Sequence, residues 1–143
     1  MNQIHQKILF LDIDGVLELD KGFDKASVEN LNFIIDKYNP YIVISSDQRI
    51  EYTNTALKKK LQKASVKANI KDFTTTNIRK YDSTEEKRYL EINDYIETHS
   101  IDDYVVIDDM SLGKYFKNRY IGTSYAYGFT KNNIKEIEKI WIK

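Results

Sequence analysis

Ile8-Leu9-Phe10-Leu11-Asp12-Ile13-Asp14-Gly15-Val16 sets the architecture of the chain. Four consecutive apolar residues closed by acids read as a short buried strand. Side chains alternate along an extended chain, so Asp12 and Asp14 start on the same side. Gly15 permits the sharp exit that a turn at this point requires.

Further along the chain, two more apolar runs end in polar clusters. Tyr41-Ile42-Val43-Ile44 leads into Ser45-Ser46-Asp47, and Tyr104-Val105-Val106-Ile107 leads into Asp108-Asp109. Residues 70–75 and 119–123 read as weaker strands. Helical patterns fill the intervals. Asp24 caps a helix with Val28, Leu31, Ile35 and Tyr38 on its apolar face, and Asn39-Pro40 stops it. Leu57, Leu61 and Ala64 mark a second helix, with Lys58-Lys59-Lys60 read as its wet face. Ser83-Thr84-Glu85-Glu86 has capping-box spacing and opens a third, with Tyr89, Ile92 and Ile96 on one side and His99 near its end as a packing residue. Thr130 caps a last helix that turns Ile134, Ile137 and Trp141 inward. Strands alternating with helices imply an α/β fold, a three-layer parallel sheet of about five strands. There is no repeat or linker, so residues 1–143 read as a single domain.

The bulk properties narrow the function classes. At 143 residues the chain can bury a real core, and 41% hydrophobic content excludes general disorder. Lys+Arg and Asp+Glu balance at 22 each, so there is no strong electrostatic signature for long nucleic acid. A short or terminal nucleic-acid substrate remains open. Cysteine is absent, which excludes thiolate chemistry. Residues 1–7 are polar, with no signal segment or membrane span, so a soluble cytoplasmic protein without membrane partners is expected.

Functional groups of a parallel sheet gather at the carboxyl ends of its strands. Asp12-x-Asp14, Ser45-Ser46 and Asp108-Asp109 would therefore meet on one edge. Four carboxylates there repel unless a cation sits among them, and oxygen ligands of this kind suit magnesium.

These motifs, in this order, resemble the haloacid dehalogenase-like (HAD) superfamily of phosphatases and phosphotransferases. Residues 8–16 match its first motif, the strand ending in Ser45-Ser46 its second, Lys87 or Arg88 at a helix start its third, and the strand ending in Asp108-Asp109 its fourth. A closer resemblance is to short members with serines, Trp and Arg after the second strand. Here that segment is Ser45-Ser46-Asp47-Gln48-Arg49, with Gln48 where Trp is usual. Arg88-Tyr89-Leu90-Glu91-Ile92 and Tyr127-Gly128-Phe129-Thr130 also look like that group, some members of which sit in proteins of nucleic-acid end repair.

The resemblance implies a Rossmann-like HAD core and a phosphomonoester hydrolase. Asp12 would be the nucleophile that forms an aspartyl-phosphate, and Asp14 the general acid and base. Mg2+ would be held by the Asp12 side chain, the Asp14 backbone carbonyl and either Asp108 or Asp109. Ser45 would donate to the phosphoryl group, with Ser46 as its rival. Arg88, or else Lys87, would supply the cation. Ser46, Gly15 and Arg49 would contact substrate, although Arg49 is equally suited to pairing with an acid such as Glu51. No cap domain fits. Residues 17–23 form a flap, and residues 49–87 hold only a helix and a strand. The open site implied suits bulky phosphorylated substrates or needs an oligomeric partner to close it. Nucleotide or polynucleotide phosphates come first, phosphoproteins second, and a non-catalytic phosphate-binding module is the alternative of another class.

Overall fold

Strands that are apolar throughout need cover on both faces, and the chain supplies it. The computed structural model describes residues 6–142. The chain runs through β1 (Ile8–Leu11), a hairpin of β2 (Glu18–Leu19) and β3 (Gly22–Phe23), α1 (Lys25–Tyr38), β4 (Tyr41–Ile44), α2 (Gln48–Glu51) and α3 (Asn54–Lys63). It continues with β5 (Ile70–Phe73), α4 (Thr84–Thr98), β6 (Tyr104–Asp108), α5 (Gly113–Phe116), β7 (Tyr120–Gly122) and α6 (Lys131–Ile140). Five strands form one parallel sheet in the order β5-β4-β1-β6-β7. This is the expected α/β architecture, with no cap domain among the described residues. The flap expected at residues 17–23 is the β2–β3 hairpin.

Alternation divides the sheet's side chains between two layers. Leu9, Leu11, Ile42, Ile44, Val105 and Ile107 pack with α1, α3 and α6, through Leu31, Ile34, Leu57, Leu61 and Ile137. Ile8, Phe10, Val43 and Val106 pack with α4 and α5, through Ile92, Tyr95 and Phe116. The caps are largely those read from sequence. Asp24 accepts from the Ser27 amide, and Asn39 ends α1 in the left-handed conformation. Ser83 accepts from the Glu86 amide, but the Glu86 carboxylate takes the amide of Asp82 rather than closing the box on Ser83. Thr130 and Asn133 form a complete capping box.

Three details differ. β5 ends at Phe73, because the carbonyls of Thr74 and Thr75 accept from Arg49. α2 was not expected, since four residues are too few to show a period. Lys60 leaves the wet face of α3 to bond Glu18 and Gln48. The polar segment at residues 1–5 lies outside the described residues. No helix among the described residues is long and apolar enough to cross a membrane.

Candidate active site

The strand register builds the site. Leu11 is paired with Ile44 on one side and Ile107 on the other. One residue further, the Asp12 amide donates to Ile107 O (3.0 Å) and the Ser45 amide to Leu11 O (3.1 Å). Asp12, Ser45 and Asp108 therefore form the next row across the sheet. By pleat alternation they share the face of Phe10, Val43 and Val106, the α4 side. From α4 comes Arg88. Its Nη1 lies 2.5 Å from Asp108 Oδ2 and 3.7 Å from Asp12 Oδ1, and its Nη2 lies 3.3 Å from Asp47. Lys87 instead turns outward, its ammonium 5.3 Å from the Tyr81 ring centre. The structure thus brings Arg88 into the site and leaves Lys87 out.

Asp12, Asp108 and Asp109 each offer an oxygen within 4.8 Å of the others, a hard-oxygen set suited to a magnesium-like ion. Asp108 is already engaged at both oxygens, by Arg88 and by the Met110 amide (2.9 Å). Asp109 packs directly on Gly15. A Cβ at Gly15 would stand 2.5 Å from Asp109 Oδ2, and its φ of +76° is unfavourable for any other residue. Gly15→Ala is therefore expected to destabilise the fold by at least about 1–2 kcal/mol. Urea denaturation of the metal-free protein checks this, and an unchanged midpoint would show that Asp109 can move aside. The Gly15 amide donates to Glu18 O and its carbonyl accepts from Thr123 Oγ1. Both polar groups thus serve the turn, in place of the expected substrate contact.

The electrostatics show an excess of negative charge. The Asp12 carboxyl is pushed up to about 9, first by burial and then by the Asp108 charge, with Arg88 opposing. Asp108 is also raised, chiefly by burial. Burial would lower Arg88, but the charges of Asp108, Asp12 and Asp47 outweigh it and hold the guanidinium firmly protonated. A single cation does not balance this cluster, so protons or a bound metal must.

The two serines part company. Ser45 Oγ is buried without a protein partner, whereas Ser46 Oγ accepts from the Gln48 amide (3.2 Å). Arg49 was expected at the substrate. Instead its side chain is 1% exposed and fully committed. It donates to the carbonyls of Ser45, Ser46, Thr74 and Thr75 and pairs with Glu91 at 2.6 Å, bracing the serine loop from behind. Glu51, the alternative partner, is not the one it takes.

Asp14 is half-buried and is not part of the Asp12, Asp108 and Asp109 cluster. Gln48 Nε2 donates to Asp14 Oδ1 (2.9 Å) and to Glu18 Oε1 (2.7 Å), while Gln48 Oε1 accepts from Lys60 (2.7 Å). Lysine can only donate, so the amide orientation is fixed. This Asp14–Gln48–Glu18–Lys60 network escaped the sequence reading. Its one visible signal was Gln48 standing where Trp is usual. Of the other aromatics, Tyr89 stacks on Tyr115 and His99 on Tyr95, as packing groups.

A family model described as the HAD domain in Swiss Army Knife RNA repair proteins matches residues 8–134. No curated protein and no solved structure matches the chain.

Proposed function

Since the chain belongs to the family of HAD domains in Swiss Army Knife RNA repair proteins, we propose that it is a magnesium-dependent phosphatase acting on phosphorylated polynucleotide ends. The observation that carries this reading is the single row of Asp12, Ser45 and Asp108 with Arg88 closing on it.

Asp12 attacks phosphorus in line, forming an aspartyl-phosphate as the bond to the leaving oxygen breaks. Asp14 gives that oxygen a proton. It then takes one from the water that cleaves the aspartyl-phosphate and releases inorganic phosphate. The orphan Ser45 hydroxyl donates to the phosphoryl group, and Arg88 offsets charge on Asp12 and Asp108. Asp12, Asp109 and the Asp14 backbone carbonyl would hold a magnesium ion, which would supply the positive charge that the clustered carboxylates and phosphoryl oxygens require. Asp109 is assigned as the direct ligand because Asp108 is occupied by Arg88 and Met110.

The test is phosphate release from an aryl phosphate, with and without magnesium, for wild type and Asp12→Asn. Turnover that survives in Asp12→Asn at the wild-type rate sinks the enzyme reading and leaves a phosphate-binding module. A panel of phosphorylated oligoribonucleotides, nucleotides and phosphopeptides then ranks substrates. Preference for phosphopeptides would make the protein a protein phosphatase instead.

Gln48 has a separate consequence. It fixes the carboxylate assigned as proton donor, and a donor matters most when the leaving oxygen is a poor one. Gln48→Ala is expected to slow an alkyl phosphate roughly tenfold and an aryl phosphate with a good leaving group much less. Equal losses on both would reduce Gln48 to a structural role.

A further inference from the structure

The loop after β7 presents two tyrosines to solvent on a backbone that is held firmly. Tyr125 is 46% exposed and Tyr127 is 76% exposed. Their segment, residues 124–128, folds as a tight turn in which the amides of Tyr127 and Gly128 both bond Ser124 O. The turn is pinned at both ends to the loop that follows β1. Thr123 donates its hydroxyl to Gly15 O (2.7 Å) and its amide to Asp108 O (3.1 Å). Phe129 donates its amide to Val16 O (2.9 Å). Gly128, at φ +63°, lies so close to Ser27 and Val16 that no side chain fits there.

The two rings serve different neighbourhoods. Tyr125 follows by two residues Thr123, which bonds Gly15 O, and the site's charges act on its hydroxyl. Partial burial, then Asp14, Asp109 and Asp12, raise it above the ordinary tyrosine range. Tyr127 lines a cavity of about 710 Å³ that begins at Gly122 and Thr123, whose backbone pairs with that of Asp108, and runs along α6. That volume is typical of ligand cavities, about 300–1,000 Å³. Lys135 and Lys139 also line it, one helical turn apart and exposed. Neither makes an ion pair among the described residues. Glu136 is on the same wall, but Asn133 Nδ2 donates to its carboxylate (2.7 Å).

Exposed aromatic faces on a rigid turn, next to a lysine-edged cavity, form a stacking platform with a backbone track. Packing does not account for Tyr127, since three-quarters of its surface touches nothing. The geometry points to a binding groove for the single-stranded end of a polynucleotide, which enters beside Asp12 and runs past Tyr125 and Tyr127 toward Lys135 and Lys139. This rests on the phosphatase reading above and adds where the nucleotides behind the reacting phosphate lie. Unstacked bases of single-stranded RNA are the chemistry that aromatic platforms take, without demanding a particular sequence.

The test compares kcat/KM for a phosphorylated tetraribonucleotide with that for an aryl phosphate, in wild type, Tyr127→Ala, Tyr127→Trp and a Lys135→Ala/Lys139→Ala double variant. Tyr127→Ala is expected to lower the oligonucleotide-to-aryl ratio about tenfold through KM, and Tyr127→Trp to restore it. The lysine pair is expected to lower the ratio and flatten its salt dependence. Fluorescence anisotropy of a labelled tetranucleotide on Asp12→Asn carries the same comparison without turnover. An unchanged ratio in Tyr127→Ala, or equal loss on both substrates, overturns the groove. Absence of Asp12-dependent aryl phosphatase activity in wild type overturns the phosphatase reading instead, and anisotropy then still judges the groove.

Discussion

Asp12→Asn is expected to reduce phosphate release by more than about a thousandfold while leaving the protein folded. In the proposed mechanism Asp12 is the covalent nucleophile, whose loss would remove the pathway itself, and such losses reach about a millionfold where they have been separated from binding. The fold should tolerate the change, because the wild-type carboxyl is buried among like charges and held at about 9. Asparagine has the same shape and carries no charge. The same shift sets the pH dependence of the metal-free protein. The folded state binds a proton at Asp12 that the unfolded chain, with its ordinary value of 3.8, releases. Between roughly pH 4 and 9 the native state therefore holds more protons than the unfolded one, and stability falls as pH rises. The contribution is full below about 4 and gone above about 9. Thermal melts across this range should slope downward in metal-free wild type and flatten in Asp12→Asn. Parallel slopes would show that another group carries the titration.

Arg88→Met is expected to be the most destabilising single change. The side chain is 3% exposed and lies within 4 Å of Asp12, Asp47, Glu91 and Asp108. Of these, Asp12, Asp108 and Glu91 are buried completely or nearly so and cannot turn to water, and only Glu91 keeps a second cation, Arg49. Removing one member of a buried ion pair costs about 3–5 kcal/mol, because the partner is left charged and unsolvated. Asp47 is 60% exposed and relaxes freely, so it adds little. For a chain of this length the loss corresponds to a Tm lower by about 10 °C. Millimolar magnesium should recover part of it, since the ion would replace positive charge beside Asp12 and Asp108. A Tm within about 2 °C of wild type would mean that the carboxylates take up protons at little expense.

The residues that were legible in the sequence are those whose neighbours along the chain reveal them. β1, β4 and β6 are uninterrupted apolar runs, and each ends in the polar residue that faces the site. Register then follows from the sheet, so Asp12, Ser45 and Asp108 could be brought together without coordinates. Arg88 over Lys87 was favoured by the resemblance, and the orientation of α4 places it. What was illegible depends on contacts between segments far apart. Arg49 looks like a phosphate ligand from residue type alone. Its actual partners are mostly backbone carbonyls, two of them some 25 residues away, and carbonyls leave no mark in a sequence. Lys60 looked like one of three solvated lysines until the flap's Glu18 and α2's Gln48 met it. Nothing in the sequence singles out Lys135 and Lys139, because no local pattern tells which side of α6 faces the cavity at Tyr127.

The row formed by Asp12, Ser45 and Asp108 ties chemistry to counting. Its members face α4 only because each stands an even number of residues from the α4-facing side chains Phe10, Val43 and Val106. One residue inserted within β1 would leave Asp12, Ser45 and Asp108 present in the chain and turn Asp12 into the opposite layer, among Leu31 and Ile34. Two inserted residues would restore its phase. The strand acts as a reading frame for the candidate site, and the apolar pattern that selects which face is buried also proofreads which face Asp12 joins.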